Sequence, residues 1–184
     1  MSWDQLINAI SGCKKCPLHQ GRTNVVVGRG NRVAPILFVG EGPGANEDKQ
    51  GLPFVGQAGK LLDMALESIG FTENDYYIAN IVKCRPPENR NPLPEECAAC
   101  LPYLRMQYKL IQPKIIVCLG AVAASAMIDK DAKISSIRGT WIKKSDVLFT
   151  ATYHPAALLR DPSKKIVMWR DLKSVWEKLQ DISK

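Results

Sequence analysis

Six cysteines are the first residues in this 184-residue chain whose types and spacing could do chemistry. Cys13 and Cys16 form a C-x2-C pair and Cys97 and Cys100 form another, together the spacing of a four-thiolate zinc site. Cys84, in Lys83-Cys84-Arg85-Pro86-Pro87, opens a second reading. With Cys13, Cys16 and one of the later pair it could hold an iron–sulfur cluster, which also takes four thiolates. Cys118 lies in an all-apolar run and reads as a small core residue. A disulfide framework is the poorer reading, because Met1-Ser2-Trp3-Asp4-Gln5 lacks the basic start and apolar core of an export signal.

Four loops carry the remaining candidates. Gly40-Glu41-Gly42-Pro43-Gly44 places glycines at alternate positions, so a ligand can approach the backbone closely. The string is neither a dinucleotide fingerprint nor a phosphate loop, and Glu41, Glu47 and Asp48 would repel a phosphate. Phe54, between Gly51 and Gly56, is either a core plug or a stacking platform for a flat ligand. Asn80 stands among apolar neighbours, where a buried amide needs partners and could read a base edge. His154, in Tyr153-His154-Pro155, is a lone histidine; His19 lies in an unrelated segment beside Cys16.

The elements that must hold these loops alternate. Helices are expected over residues 2–10, 58–69, 94–111 and 163–179, with a small Ala-rich helix ending near Ile128. In the last of the long ones Ile166, Trp169, Val175 and Trp176 form the expected buried side. Ile36-Leu37-Phe38-Val39 is apolar at every position, as a strand covered on both faces would be. Similar runs over residues 76–82, 114–119 and 147–152 complete four strands, and a further β-rich run covers Asn24 to Gly28. Strands alternating with helices predict a three-layer α/β/α single domain, residues 1–184, around a mainly parallel four-stranded sheet. Ligands in such folds lie at the carboxyl ends of the strands, where Glu41, Asn80 and His154 fall.

Composition narrows the function class. The chain is 46% hydrophobic and 23% charged, so a packed core is expected and disorder is not. Lys and Arg outnumber Asp and Glu by 25 to 18, a net +7 that favours an anionic partner, most often nucleic acid. No apolar run reaches membrane-spanning length, which excludes an integral helical membrane protein.

Taken together the loops resemble the family 4 uracil-DNA glycosylases, the iron–sulfur branch of that superfamily. The resemblance runs from about Cys13 to Arg160. It rests on G-E-G-P-G-x-x-E-D at Gly40 to Asp48, G-x-P-F-V-G at Gly51 to Gly56, N-I-V-K-C-R-P-P at Asn80 to Pro87, and Y-H-P at Tyr153 to Pro155. It implies a DNA repair enzyme that flips uracil from DNA and hydrolyses its glycosidic bond, acting as a cytoplasmic monomer on uracil-containing DNA. The other class to weigh is a non-catalytic iron–sulfur DNA-binding module.

The family's pattern also implies ligands and roles. Cys13, Cys16, Cys84 and Cys100 would hold a [4Fe-4S] cluster, with Cys97 a bystander. Phe54 would stack on the flipped base, Asn80 would read its edge, and backbone of Gly40, Glu41 and Gly42 would line the pocket. His154, neutral, would donate to uracil O2. Relatives in other branches carry an acid where Gly42 stands, which leaves Glu41 first among candidates to place water, with Glu47 and Asp48 as rivals. Ala156 replaces the family's usual Ser, so a backbone N–H there could serve a phosphate instead. Arg85, Arg90, Arg138, Arg160, Lys164 and Lys165 are the expected phosphate contacts, and Leu158 the expected wedge into the gap left by the base, in preference to Leu159.

Overall fold

The structure is a computed structural model that describes residues 1–183. Ser2 caps the first helix, α1 (Trp3–Ser11), through a reciprocal bond pair with Gln5, and Leu6 and Ile10 are buried. A single 3-10 turn, Pro17–Gln20, follows the Cys13/Cys16 segment. The chain then runs β1 (Arg29–Gly30), β2 (Ile36–Gly40), α2 (Ala45–Gln50), α3 (Gln57–Ile69), β3 (Tyr76–Asn80) and α4 (Pro94–Ile111). It continues through β4 (Ile115–Leu119), α5 (Ala121–Met127), α6 (Ile134–Ile137), β5 (Ile142–Lys144), β6 (Val147–Thr152), α7 (Pro155–Arg160) and α8 (Lys164–Ile182).

One sheet is formed, in the order β1-β3-β2-β4-β6-β5. The four expected strands are its parallel centre. The expected four-stranded sheet is corrected to six by β1 and β5, which pair antiparallel at the two edges. Both are short and polar, and the expected run at Asn24 to Gly28 is not itself a strand.

Period-2 alternation divides the central strands between two cores. Leu37, Val39, Ala79, Ile116 and Cys118 pack with Leu6, Ile10, Leu104, Ala123 and Ala124 on the side of α1, α4 and α5. Ile36, Phe38, Ile78, Ile115 and Val117 pack with Leu62, Leu66, Leu172 and Val175 on the side of α3 and α8. The buried face of α8 carries Met168, Asp171, Leu172, Val175 and Leu179. Ile166 is exposed, contrary to expectation, because Met168, Leu172, Val175 and Leu179 set the inward face of the helix and Ile166 lies off it.

Strand β2 is flanked by β3 on one side and β4 on the other, so the direction of crossover reverses beside it. That reversal opens a crevice at the carboxyl ends of the strands.

Candidate active site

The crevice holds a pocket that brings together Glu41, Gly42, Phe54, Asn80 and His154, with Arg90 and Arg160 also lining it. Asn80 closes β3 and is 2% exposed. Its Oδ1 is buried with no hydrogen-bond partner, a costly condition unless a ligand supplies the donor. Gly40, paired in register with Asn80, has no side chain for a physical reason: a Cβ there would collide with Asn80 Oδ1 and the Phe54 ring. It lies against Asn80 and Phe54 and is not itself among the residues lining the pocket.

Phe54 is both of the things its sequence allowed. Its ring belongs to the core on the α3 side and also lines the pocket. The backbone holds it at φ 54°, a left-handed conformation that costs about 1–3 kcal/mol for such a residue. Glu47 opposes that cost: its Oε1 accepts from the Val55 and Gly56 amides, each at 2.9 Å, and its Oε2 from Gly44 at 3.2 Å. The Phe54 and His154 rings lie 5.6 Å apart, tilted by 31°.

His154 caps α7 and its Nδ1 accepts from the Ala156 amide at 3.1 Å. The acceptor nitrogen cannot carry the proton, so Nε2–H is the donor of the neutral ring. Burial pushes its pKa down to about 4, aided by the Arg160 charge and opposed by Glu47. The Ala156 amide is thereby engaged by the histidine ring.

The three acids divide. Asp48 is 3% exposed and accepts from the Thr23 and Asn24 amides. Glu47 lines the pocket with its carboxylate held by backbone amides. Glu41 remains at the pocket, its carboxyl raised by burial and partly restored by Arg160. A side chain at Gly42 would press on the Val82 methyl.

The Uracil DNA glycosylase superfamily model matches residues 27–180. A type-4 uracil-DNA glycosylase of Thermotoga maritima is 50% identical over 161 residues, covering 85% of this chain and 83% of that protein. One of Archaeoglobus fulgidus is 45% identical, covering 96% and 92%, and one of Sulfurisphaera tokodaii is 44% identical, covering 96% and 84%. The chain belongs to the type-4 uracil-DNA glycosylase family.

In this family member the expected DNA-facing residues fare unequally. Arg160 is exposed at the pocket and, among the described residues, makes no ion pair. Arg85 donates to Asn89 and Arg90 grips Glu96 through both terminal nitrogens, so each is pre-oriented beside the pocket. Arg138 binds Asp171 through two nitrogens, and Asp171 also accepts from Thr152 at the end of β6. Leu158 is 1% exposed in the α3-side core, whereas the next residue, Leu159, is 48% exposed and presents its side chain to solvent. Asn89 lines the pocket at φ 56° and was missed; a polar residue tolerant of that conformation in Glu88-Asn89-Arg90 was the available signal.

Cys13, Cys16, Cys84 and Cys100 line a second, smaller pocket between α1 and α4, and Cys97 and Cys118 do not. All six cysteines are free thiols. Among the described residues no three His, Cys, Asp or Glu side chains converge on a single ion position. Four thiols around a shared space are the donor set that an iron–sulfur cluster takes. Cations already attend them: Arg22 donates to Cys84 Sγ at 3.2 Å and to the Cys13 carbonyl at 2.9 Å.

Proposed function

We propose that this chain is a monofunctional uracil-DNA glycosylase of base-excision repair. The observation that carries the reading is the orphaned Asn80 Oδ1, buried at the floor of a pocket with a neutral, Nε2-protonated histidine. A base must leave the duplex stack before it can be cut from its sugar. Uracil entering this pocket supplies the missing donor, N3–H, while the Asn80 amide nitrogen donates to O4. Cytosine, with an acceptor at N3 and a donor at C4, mismatches both groups. Phe54 stacks on the flipped ring.

As the C1′–N1 bond breaks, its electron pair moves onto uracil and charge gathers at O2. His154 Nε2–H meets that charge, a form of stabilisation that commonly supplies the largest catalytic contribution. A neutral ring suits the task because it donates one defined proton without titrating near pH 7. Glu41 orients water toward C1′; the water oxygen joins the sugar, its lost proton is matched by protonation of the departing uracil anion, and uracil and an abasic site are left.

Cys13, Cys16, Cys84 and Cys100 are the residues that would hold a [4Fe-4S] cluster. When bound, the cluster supplies a covalent tie between the segment after α1, the loop after β3 and α4. Exposed Arg160, with Arg85, Arg90, Lys164 and Lys165, faces DNA phosphates, and binding weakens steeply as salt rises. Among the described residues no helix is long and apolar enough to cross a membrane. The protein works as a cytoplasmic monomer.

Incubation with a uracil-containing oligonucleotide, followed by alkali, tests the reading. Strand breaks at uracil and none at cytosine are expected. Binding without breaks would replace it by a non-catalytic iron–sulfur DNA-binding module.

A further inference from the structure

Lys83 is the largest anomaly outside the pocket. The side chain is 1% exposed, and among the described residues no carboxylate pairs with it. Its ammonium donates to the Asn80 carbonyl and to Gln107 Oε1, both at 2.7 Å. Gln107 is itself oriented by a bond from Nε2 to the Val27 carbonyl at 2.8 Å, and the Lys83 carbonyl accepts from Val26 at 2.8 Å. On its other side Lys83 lines the four-cysteine pocket together with Cys84 and Cys100.

A buried ammonium with only neutral acceptors is expensive, because desolvation is repaid only by an opposite charge nearby. The thiols of the four-cysteine pocket, which Lys83 also lines, carry negative charge when they ligate a cluster. Lys83 therefore has its counter-charge in one site and its hydrogen-bond acceptor in the other.

We propose that Lys83 is a positioning residue that couples the cysteine site to the uracil pocket: thiolate charge holds its ammonium, and its ammonium holds the main chain of Asn80. A loaded cysteine site fixes the end of β3, and with it the side-chain amide that reads uracil. The activity half of this inference rests on the glycosylase reading; the charge half does not.

The test uses cluster-loaded wild type, Lys83→Met and Lys83→Gln. Three quantities are read: iron per chain, the midpoint potential of the cluster in a one-electron titration, and kcat and KM on a uracil oligonucleotide. Lys83→Met removes the charge and the donor. Its potential moves to a more negative value, and kcat falls about tenfold with KM changed less, the size expected for one lost charge-assisted bond. Lys83→Gln keeps a donor for the Asn80 carbonyl but no charge, so it shows the same potential shift with kcat partly rescued. A potential unmoved in both variants, or kcat within about twofold of wild type in Lys83→Met, overturns the coupling. A potential shift in a protein whose wild type excises no uracil leaves the charge role standing and removes the glycosylase reading. Should Lys83→Met not fold, Lys83→Gln is judged alone, by its potential and by a kcat below wild type.

Discussion

His154 Nδ1 accepts the Ala156 amide proton at 3.1 Å, and this one bond decides which ring nitrogen is left to donate. Adding a proton to the ring destroys the bond and turns the amide into an unpaired donor.

A pH dependence follows. The folded His154 value of about 4 lies below the ordinary 6.5, so the unfolded chain takes up the proton first as pH falls. The contribution of the neutral ring is whole above about pH 6.5 and is lost progressively down to about pH 4, at most about 3 kcal/mol. Urea unfolding should therefore show a steeper loss of stability between pH 7 and 4 in wild type than in His154→Gln. The excision rate should show no histidine limb near pH 6.5. A limb there would mean that the ring titrates freely.

Asn80→Ala separates stability from activity. The substitution deletes a buried acceptor that has no partner, so the loss of packing is offset by removal of an unsatisfied group. The Lys83 bond, made to the backbone, is kept. Tm is expected to change by less than about 4 °C, while excision falls roughly a hundredfold. A large fall in Tm would show that Oδ1 serves the fold.

Leu158 and Leu159 differ by one residue and should differ in kind. Leu158→Ala empties a core site and costs roughly 2–5 kcal/mol in stability, with excision from single and double strands affected alike. Leu159→Ala leaves Tm near wild type and slows excision from double-stranded DNA more than from single strands, because only the duplex leaves a gap to fill. Equal slowing on both substrates would leave Leu159 without that role.

The central sheet was legible because Ile36 to Val39 and Ile115 to Leu119 are apolar throughout, a pattern that only burial on two faces produces. Edge strands β1 and β5 carry Arg29, Lys143 and Lys144 and have no such signature. The pocket residues could be named from loop strings, but their division of labour could not. Glu47 and Asp48 are adjacent acids, and only the approach of distant amides commits both to the backbone. The phase of α7 was equally hidden, since six residues give too few turns to establish a period. In α8 apolar residues lie on more than one side, so Ile166 could be mistaken for part of the face that Met168, Leu172 and Leu179 bury.

Cys97 and Cys100 both lie on α4, one turn apart, and only Cys100 lines the four-thiol pocket. Cys97→Ser is expected to keep the iron content and brown colour of wild type, and Cys100→Ser to lose most of both. Iron analysis of the two purified variants decides it; the reverse result would restore the paired C-x2-C reading.

Glu41 and Glu47 line the same pocket yet should fail differently when changed. Glu47→Ala frees three backbone amides at once, releasing the loop that holds Phe54 at its positive φ. Each buried amide left without a partner costs about 1–3 kcal/mol, so Tm falls and KM rises as the stacking ring loses its place. Glu41 has no such bonds through its carboxylate among the described residues. Burial already raises its pKa, so a neutral side chain there relieves desolvation. Glu41→Gln should accordingly hold or raise Tm and lower kcat with little change in KM. Both losses should be smaller than those of His154→Ala and Asn80→Ala, which remove groups that touch the uracil ring itself. Steady-state kinetics and melting curves on the four variants check the order, and a Glu47→Ala loss as deep as that of His154→Ala would make Glu47 more than a support for Phe54.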